Sequence, residues 1–440
     1  MKTYFFLILL SVLSLNCAKD SSPAPISQNP VLPTVSNLRS TVLIISTTSA
    51  TFAGNVTADG GAAVTARGIC WADSPSPTVA GNHTVNGAGK GTFTGFMTGL
   101  TPGLLYFVRA YATNSVGTVY SNDISFTTTP AGPGGGDFYA TGELNYGGVT
   151  APTIWINGVP SALTAGTNSA MAYSVFVDGT EVYVSGYEKN GLIVMARIWK
   201  NGAGTFLTNS NNGGGTAWSV YPSGSNVYVA GESSGPSNNM ATIWKNGVAS
   251  FLSAGISPAA AYSVCVSGGT EVYVAGYEGN VAKIWKNGVA TSLTNGTVAA
   301  VANWVTVFFP DVYAAGYEMI GTKPAAKIWK NNVGTFLTNG SFNANANSVY
   351  VWATDVYVAG YESNGTKNVA KVWKNGVATS LTDGTNNAYA TSVRGSGADV
   401  YVGGYENDGT KNVAKLWKNG LEIFLQNSTG AGLITGVFVK

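Results

Sequence analysis

A single histidine, His83 in "GNHTVNG", serves a chain of 440 residues. With no second imidazole and no Ser or Cys nucleophile near it in sequence, His83 reads as a loop residue. A His-based acid–base mechanism is then hard to sustain. Cysteine is nearly as scarce, at Cys17, Cys70 and Cys265. Thiols so scattered make neither a disulfide framework nor the clustered ligands of a metal site. Cys70 and Cys265 stand in alternating apolar runs that suit small buried side chains. Charged residues are only 10% of the chain, and the net charge of +2 is spread without a block of Lys or Arg. A nucleic-acid partner, which needs a dense basic face, is not expected. No P-loop, dinucleotide fingerprint, "HExxH" or "GxSxG" occurs, so neither a cofactor nor a metal is expected and no catalytic residue can be named.

What is present is 45% hydrophobic residues together with abundant Gly, Ser, Thr, Asn and Tyr. That balance fits many short strands joined by polar turns, and the length predicts two to four domains. The chain opens "MKTYFFLILLSVLSLNCAKDSSPAP". Lys2 precedes an apolar run, Tyr4 to Leu15, of signal-peptide length and too short to span a bilayer. "LSLNC" resembles a bacterial lipoprotein lipobox, although Leu15 and Asn16 stand where small residues are preferred. "CAKDSS" resembles the tether of outward-facing lipoproteins. The resemblance implies a signal peptide at 1–16, lipidation of Cys17, and a flexible spacer at 17–32. It also implies an exported outer-membrane or cell-surface protein that meets the membrane through lipid alone. An ordinary secretory signal would make it a secreted protein instead.

Residues 33–129 carry short strands separated by turns, including "VTARGICWA", "GTFTGFMTGL" and "YSNDISFTT". In "YFVRAYA", Tyr106, Val108 and Ala110 share one face and Phe107, Arg109 and Tyr111 the other, the period of a sandwich strand. The stretch "GLTPGLLYFVRAYATNSVGTVYSNDISFTT" resembles fibronectin type III modules. The resemblance implies an Ig-like β-sandwich in which the Tyr106 hydroxyl pins a corner. A Pro/Gly linker at 130–136 ends the module.

From residue 137 to 440 one unit is written seven times. Its tryptophans are Trp155, Trp199, Trp244, Trp285, Trp329, Trp373 and Trp417, at spacings of 44, 45, 41, 44, 44 and 44 residues. Each unit contains four strand patterns, so the repeat is similar to the blades of a seven-bladed β-propeller. An Asn-Gly pair follows each "WK" or "WI" (Asn331-Asn332 in the fifth unit), as a type I′ hairpin turn requires. Each Trp is expected to pack one sheet on the next. "DFYATGE" matches the second strand of a unit and "GLITGVFVK" the first. One sheet is therefore expected to join residues 432–440 to 137–165, closing the ring and removing its open edges.

Seven glutamates, Glu143, Glu188, Glu232, Glu278, Glu318, Glu362 and Glu406, read as equivalent scaffold positions. Pairing Glu278 with Val281 sets Lys283 diagonal to Glu278. The same register joins Glu188 to Arg197, Glu318 to Lys327, Glu362 to Lys371 and Glu406 to Lys415. Two units carry Thr153 and Thr242 in place of the base and also lack the preceding Tyr. Tyr and base are accordingly read as residues in contact, and Glu as a cap for loop N–H groups. Function is expected in what differs between units. Two variable loops per unit emerge on one face, around irregular aromatics, Trp218, Trp304 and Tyr389. Arg394, a further candidate for binding, interrupts the inner-strand pattern and is expected to project toward the channel, where a lone charge needs water or an acidic partner. Trp352 also interrupts the pattern, and Asp383 and Asp408 faintly resemble calcium loops without an EF-hand series. The expectation is a monomeric, non-enzymatic module that binds glycan or protein at the cell surface. The alternatives are a carbohydrate-active enzyme, which needs a carboxylate pair, or a purely structural envelope protein.

Overall fold

The computed structural model describes residues 29–45, 48–128, 137–146, 149–164, 168–208, 213–423, 425 and 431–440. The proposed signal peptide, Cys17 and most of the spacer lie outside these residues, as does most of the linker. Among the described residues there is no helix; the chain is all-β.

The N-terminal module has two sheets. Three strands, Thr34–Ile45, Ser49–Ala58 and Gly91–Thr98, form one. Ala66–Ala72, Leu105–Thr113, Thr118–Tyr120, Ile124–Thr127 and the two-residue Asn82–His83 form the other. His83 is thus a strand residue at an edge, exposed, with Nδ1 2.9 Å from the Gly81 carbonyl. Phe52, Trp71, Phe93, Tyr106, Val108 and Phe126 fill the core. The expected alternation holds from Tyr106 through Val108 to Ala110, which are buried, and lapses at Tyr111, which is buried as well. The Tyr106 hydroxyl accepts a 3.0 Å hydrogen bond from the Thr101 N–H, five residues upstream. Cys70 and Cys265 are both buried free thiols.

From residue 137 on, the described residues form seven four-stranded antiparallel sheets, a repeated β-propeller-like arrangement. The sixth sheet is typical: Ala344–Trp352 innermost, then Asp355–Ser363, Asn368–Lys374 and Val377–Ser380. The first sheet is assembled from both chain ends. Gly432–Val439 pairs antiparallel with Phe138–Tyr146, which is followed outward by Val149–Ile156 and Val159–Ala162. Every sheet shares a buried core with the next, and the seventh with the first: Tyr401, Ala414 and Leu416 on one side, Ala140, Trp155 and Val437 on the other, lie buried in that closing seam. The seven repeat tryptophans are at most 2% exposed.

The Asn-Gly turns have the positive φ that type I′ requires, from 49° to 52° at the seven first Asn residues and 69° at Asn332. Asn does a second job there. Its Oδ1 accepts the N–H that starts the second strand of its own sheet, as in Val356 to Asn375 at 2.8 Å. Its Nδ2 donates to the acid just before, as in Asn375 to Asp355 at 2.8 Å. A glycine at each second strand (Gly276, Gly360 and their counterparts) is demanded by close approach. A Cβ on Gly276 would lie 1.9 Å from the Ala260 carbonyl of the inner strand.

Inner strands are not simple alternations. Each carries a register shift, as between Ala346 and Ser348, that makes Asn347 the extra residue of a bulge. At four of the seven next positions a serine (Ser219, Ser263, Ser348 and Ser392) accepts the N–H of the neighbouring inner strand, as Ser348 does from Val393 at 3.2 Å. Inner strands therefore bond to each other around the axis.

Candidate functional site

The bulge residue of each inner strand faces its neighbours around the axis, and here the seven sheets divide into two arcs. In four of them the residue donates to a carbonyl of the next inner strand. Asn303 reaches Ala346 at 3.0 Å, Asn347 reaches Ala390 at 2.8 Å, Thr391 reaches Ile434 at 2.8 Å and Thr435 reaches Ala172 at 2.7 Å. The remaining three, in the second, third and fourth sheets, are aromatic: Tyr173, Trp218 and Tyr262. Tyr173 and Trp218 have ring centroids 4.3 Å apart, and Trp218 meets Tyr262 edge-on at 5.4 Å. An arc that is stitched by polar side chains thus gives way to an arc of stacked rings.

A second ring stands on the second strands, toward the end of the channel that bears the variable loops. Tyr361 pairs with Asn345 and Ala370, whereas Glu362 pairs with Ala344 and Val369. Neighbouring strand residues point to opposite faces. So Tyr361 lies on the face away from Glu362 and Lys371, and the reading of Tyr and base as contacts is wrong. The tyrosines instead meet inner-strand aromatics: Tyr389 lies 4.9 Å from Tyr361 and 5.0 Å from Tyr405.

The same register corrects the seven glutamates. Gly276 pairs with Lys283, Tyr277 with Ala282 and Glu278 with Val281. In the third sheet Gly231 pairs with Thr242 and Glu232 with Ala241, so Glu232 holds the tyrosine position and Ser233 the glutamate position. In the first sheet Glu143 pairs with Pro152 and Leu433, again where the other sheets have Tyr. Five glutamates are equivalent; Glu143 and Glu232 are not. A shift of one residue moved both carboxylates to the opposite face, which is why no base stands beside them.

The five equivalent glutamates form the ion pairs that the pattern predicts. Glu362 and Lys371 are 2.7 Å apart and Glu406 and Lys415 3.7 Å. Glu188–Arg197, Glu278–Lys283 and Glu318–Lys327 are also joined. Their side chains are 11–25% exposed, so these are not solvated surface pairs. The amide partner shown for Glu188 is the side chain of Asn168 at 3.3 Å, and for Glu232 that of Asn239, where backbone N–H groups were expected.

Glu143 and Glu232 have no ion-pair partner among the described residues, and burial raises the pKa of both. Glu143, on the first sheet, borders the aromatic arc, and Glu232, on the third, stands within it. The Tyr173 phenol is pushed up by burial first, then by Tyr187, Glu143 and Glu232; that of Tyr262 by burial, Tyr277 and Glu232. Across the ring, burial pushes Tyr405 up to about 12, with Tyr389 and Tyr361 adding to it. Glu232 also lines a cleft between the second and third sheets, with Val194, Gly214, Thr216 and Asn239. Elsewhere on this end the two variable loops of a unit touch: Asn238 donates to the Ile256 carbonyl at 2.9 Å and Asn364 to that of Gly384 at 3.1 Å.

Substitution at the two classes of glutamate should move stability in opposite directions. Glu278→Gln leaves Lys283 without its counter-charge and is expected to cost about 1–3 kcal/mol at neutral pH. Glu232→Gln removes a carboxylate that folding disfavours in its charged form, and should raise Tm at pH 7. A raised carboxyl pKa contributes stability that is present below the ordinary value of 4.5 and lost as pH rises through the folded value. The gain from Glu232→Gln should accordingly vanish on acidification toward pH 4.5. Thermal melts of both variants at several pH values check this; parallel behaviour would return Glu232 to the scaffold.

Of the residues singled out from the sequence, Trp218 and Tyr389 fall in this half of the channel. Trp304 and Arg394 come together in the other half, with the guanidinium carbon 4.6 Å from the indole centroid. Trp352 is 47% exposed at the end of its strand. Asp383 and Asp408 are turn caps: Asp383 accepts from the Thr385 N–H at 2.9 Å and Asp408 from the Thr410 and Lys411 N–H groups at 2.9 and 3.0 Å. Hydrogen bonds from Thr410 hold the Asp408 pKa down to about 2. No cluster of three or more His, Cys, Asp or Glu residues that could hold a metal ion occurs among the described residues.

No known family profile matches the sequence, and no curated protein does either. Solved structures do show similarity. A chain of a nidogen–laminin complex aligns at 10% identity and TM-score 0.36, over 61% of this chain and 98% of that one. A DUF4784 family protein from Bacteroides caccae aligns at 10% identity and TM-score 0.38, over 80% of this chain and 98% of that one. An uncharacterized protein from Listeria monocytogenes aligns at 8% identity and TM-score 0.17, over 90% of this chain and 29% of that one.

Proposed function

We propose that this chain is an exported surface lipoprotein, anchored through Cys17. In this reading a fibronectin type III-like module carries a seven-bladed β-propeller that binds glycan, without catalysis, at the variable-loop end of its channel. The observation that carries the reading is the aromatic arc Tyr173–Trp218–Tyr262 with Glu143 at its border and Glu232 within it. Aromatic faces pack on the C–H faces of a sugar ring, and ionised carboxylates accept hydrogen bonds from its hydroxyls. A depression ringed by phenols and two carboxylates suits a narrow polyol chain; a protein partner needs a broad complementary surface. Tyr361, Tyr389 and Tyr405 extend the same aromatic lining across the axis.

A second reading, a carbohydrate-active enzyme, is favoured by one specific observation: Glu143 and Glu232 both act on Tyr173, and burial raises the pKa of each in the direction a general acid needs. A panel of bacterial, plant and host glycans tests both. Saturable binding with no release of reducing ends is expected. Release of reducing ends that is lost in Glu143→Gln and Glu232→Gln would establish the enzyme, and absence of both binding and turnover would overturn the proposal.

A further inference from the structure

The half of the channel next to the Asn-Gly turns has a different chemistry and does not depend on the glycan reading. Arg394 stands on the inner strand Ala388–Ser396 of the seventh sheet, paired with Tyr401. Its guanidinium carbon lies 4.6 Å from the ring centroid of Trp304, which belongs to the fifth sheet. It is also within electrostatic reach of Tyr221, Cys265 and Tyr350, from the third, fourth and sixth sheets. A side chain that reaches four other sheets of one ring lies across its axis. Arg394 therefore crosses the channel.

The guanidinium has no carboxylate partner among the described residues. Its one hydrogen bond is at the limit of length, from Nη1 to the Val393 carbonyl at 3.5 Å. Asp178, exposed at a hairpin, is the carboxylate that acts on this group of residues, and it does so on Tyr221. The other neighbours are neutral at physiological pH. Burial pushes the Cys265 thiol up to about 12 even though Arg394 pulls it down. The phenols of Tyr221 and Tyr350 are raised by burial as well. The buried Trp304 indole N–H has no acceptor among the described residues.

The chemistry is one-sided. Arg and Trp side chains are donors only, and a protonated phenol can donate too. The guanidinium carbon lies over the Trp304 ring, and apart from the long Nη1 bond to Val393 its N–H fork is left for an acceptor. A half-buried cation drawn partly out of water with no counter-charge beside it is costly, and arginine does not escape by losing its proton. We propose that this half of the channel binds a small oxyanion, a carboxylate or a phosphate-type group, in the plane of the Arg394 guanidinium and beside the hydroxyls of Tyr221 and Tyr350.

The test is the melting temperature of the full chain in low-salt buffer, titrated separately with acetate, phosphate and sulfate. Wild type should show a saturable rise of about 4 °C at a hundred-fold excess over Kd. Arg394→Met should lose the saturable rise and melt at or above wild type without anion, since the unpaired charge is gone. Arg394→Lys, which keeps the charge but not the fork, should retain a rise at least ten-fold weaker in apparent affinity. The anion that acts at the lowest concentration tells a carboxylate from a phosphate ligand. No saturable response in wild type, or an equal response in Arg394→Met, overturns the proposal; wild type alone decides if the variants do not fold.

Discussion

Deletion of residues 432–440 is expected to abolish the cooperative unfolding transition of the ring. This segment is the inner strand of the first sheet, paired with Phe138–Tyr146 from nearly three hundred residues earlier. It brings Ile434, Val437, Phe438 and Val439 into the seams with both neighbouring sheets. Four such side chains contribute roughly 6–12 kcal/mol at about 1.5–3 kcal/mol each, an upper figure because unfolded chains already bury some area. That is comparable to the whole stability of a typical domain, about 5–15 kcal/mol. The deletion also strands polar partners: Thr435 donates to the Thr141 and Ala172 carbonyls at 3.0 and 2.7 Å, and the Val437 N–H donates to Ser392 at 3.2 Å. Calorimetry of the truncated chain should show the ring's transition lost or greatly lowered. A melting temperature within a few degrees of wild type would mean that the chain ends do not close the ring.

Trp285→Ala should be the most damaging single substitution in a middle sheet, at about 3–5 kcal/mol. Trp285 is fully buried, packed in a core that joins Tyr228, Ala230 and Ala241 of the third sheet to Val264 and Val274 of the fourth. Neither sheet can move in to fill the space without breaking the bonds between inner strands. Trp352→Ala, at a side chain that is 47% exposed, should stay within about 0.5 kcal/mol of wild type. Denaturant midpoints for the pair separate the tryptophans that repeat from one that does not. Equal effects would contradict the division of roles.

The repeat, the hairpin turns, the five ion pairs and the meeting of chain ends were legible because each is written in local pattern. Spacing, an Asn-Gly pair and strand register are enough to state them. Three other features were not legible. The bulge at Asn347 and its counterparts breaks the period of two within the inner strand, so alternation cannot say which side chains reach the next strand. Gly276 and its counterparts are required by the approach of a carbonyl from another strand, which leaves no local sign. The misassigned pair, Glu143 and Glu232, had a visible signal that conserved-looking composition concealed. "TGEL" and "AGES" have Glu directly after Gly, whereas the other units have "GYE". Counting from the glycine, and not matching glutamate to glutamate, places both carboxylates on the tyrosine face. The candidate site emerges from that one-residue difference.

The most direct test of the functional account is a set of binding titrations with whichever glycan the wild-type protein retains. Trp218→Ala and Glu232→Gln, within the aromatic arc, should each weaken binding at least ten-fold with folding intact. Asn347→Ala, in the stitched arc, should leave affinity within two-fold. Equal losses across all three, or losses confined to Asn347→Ala, would contradict the claim that recognition resides where the ring departs from its own repeat.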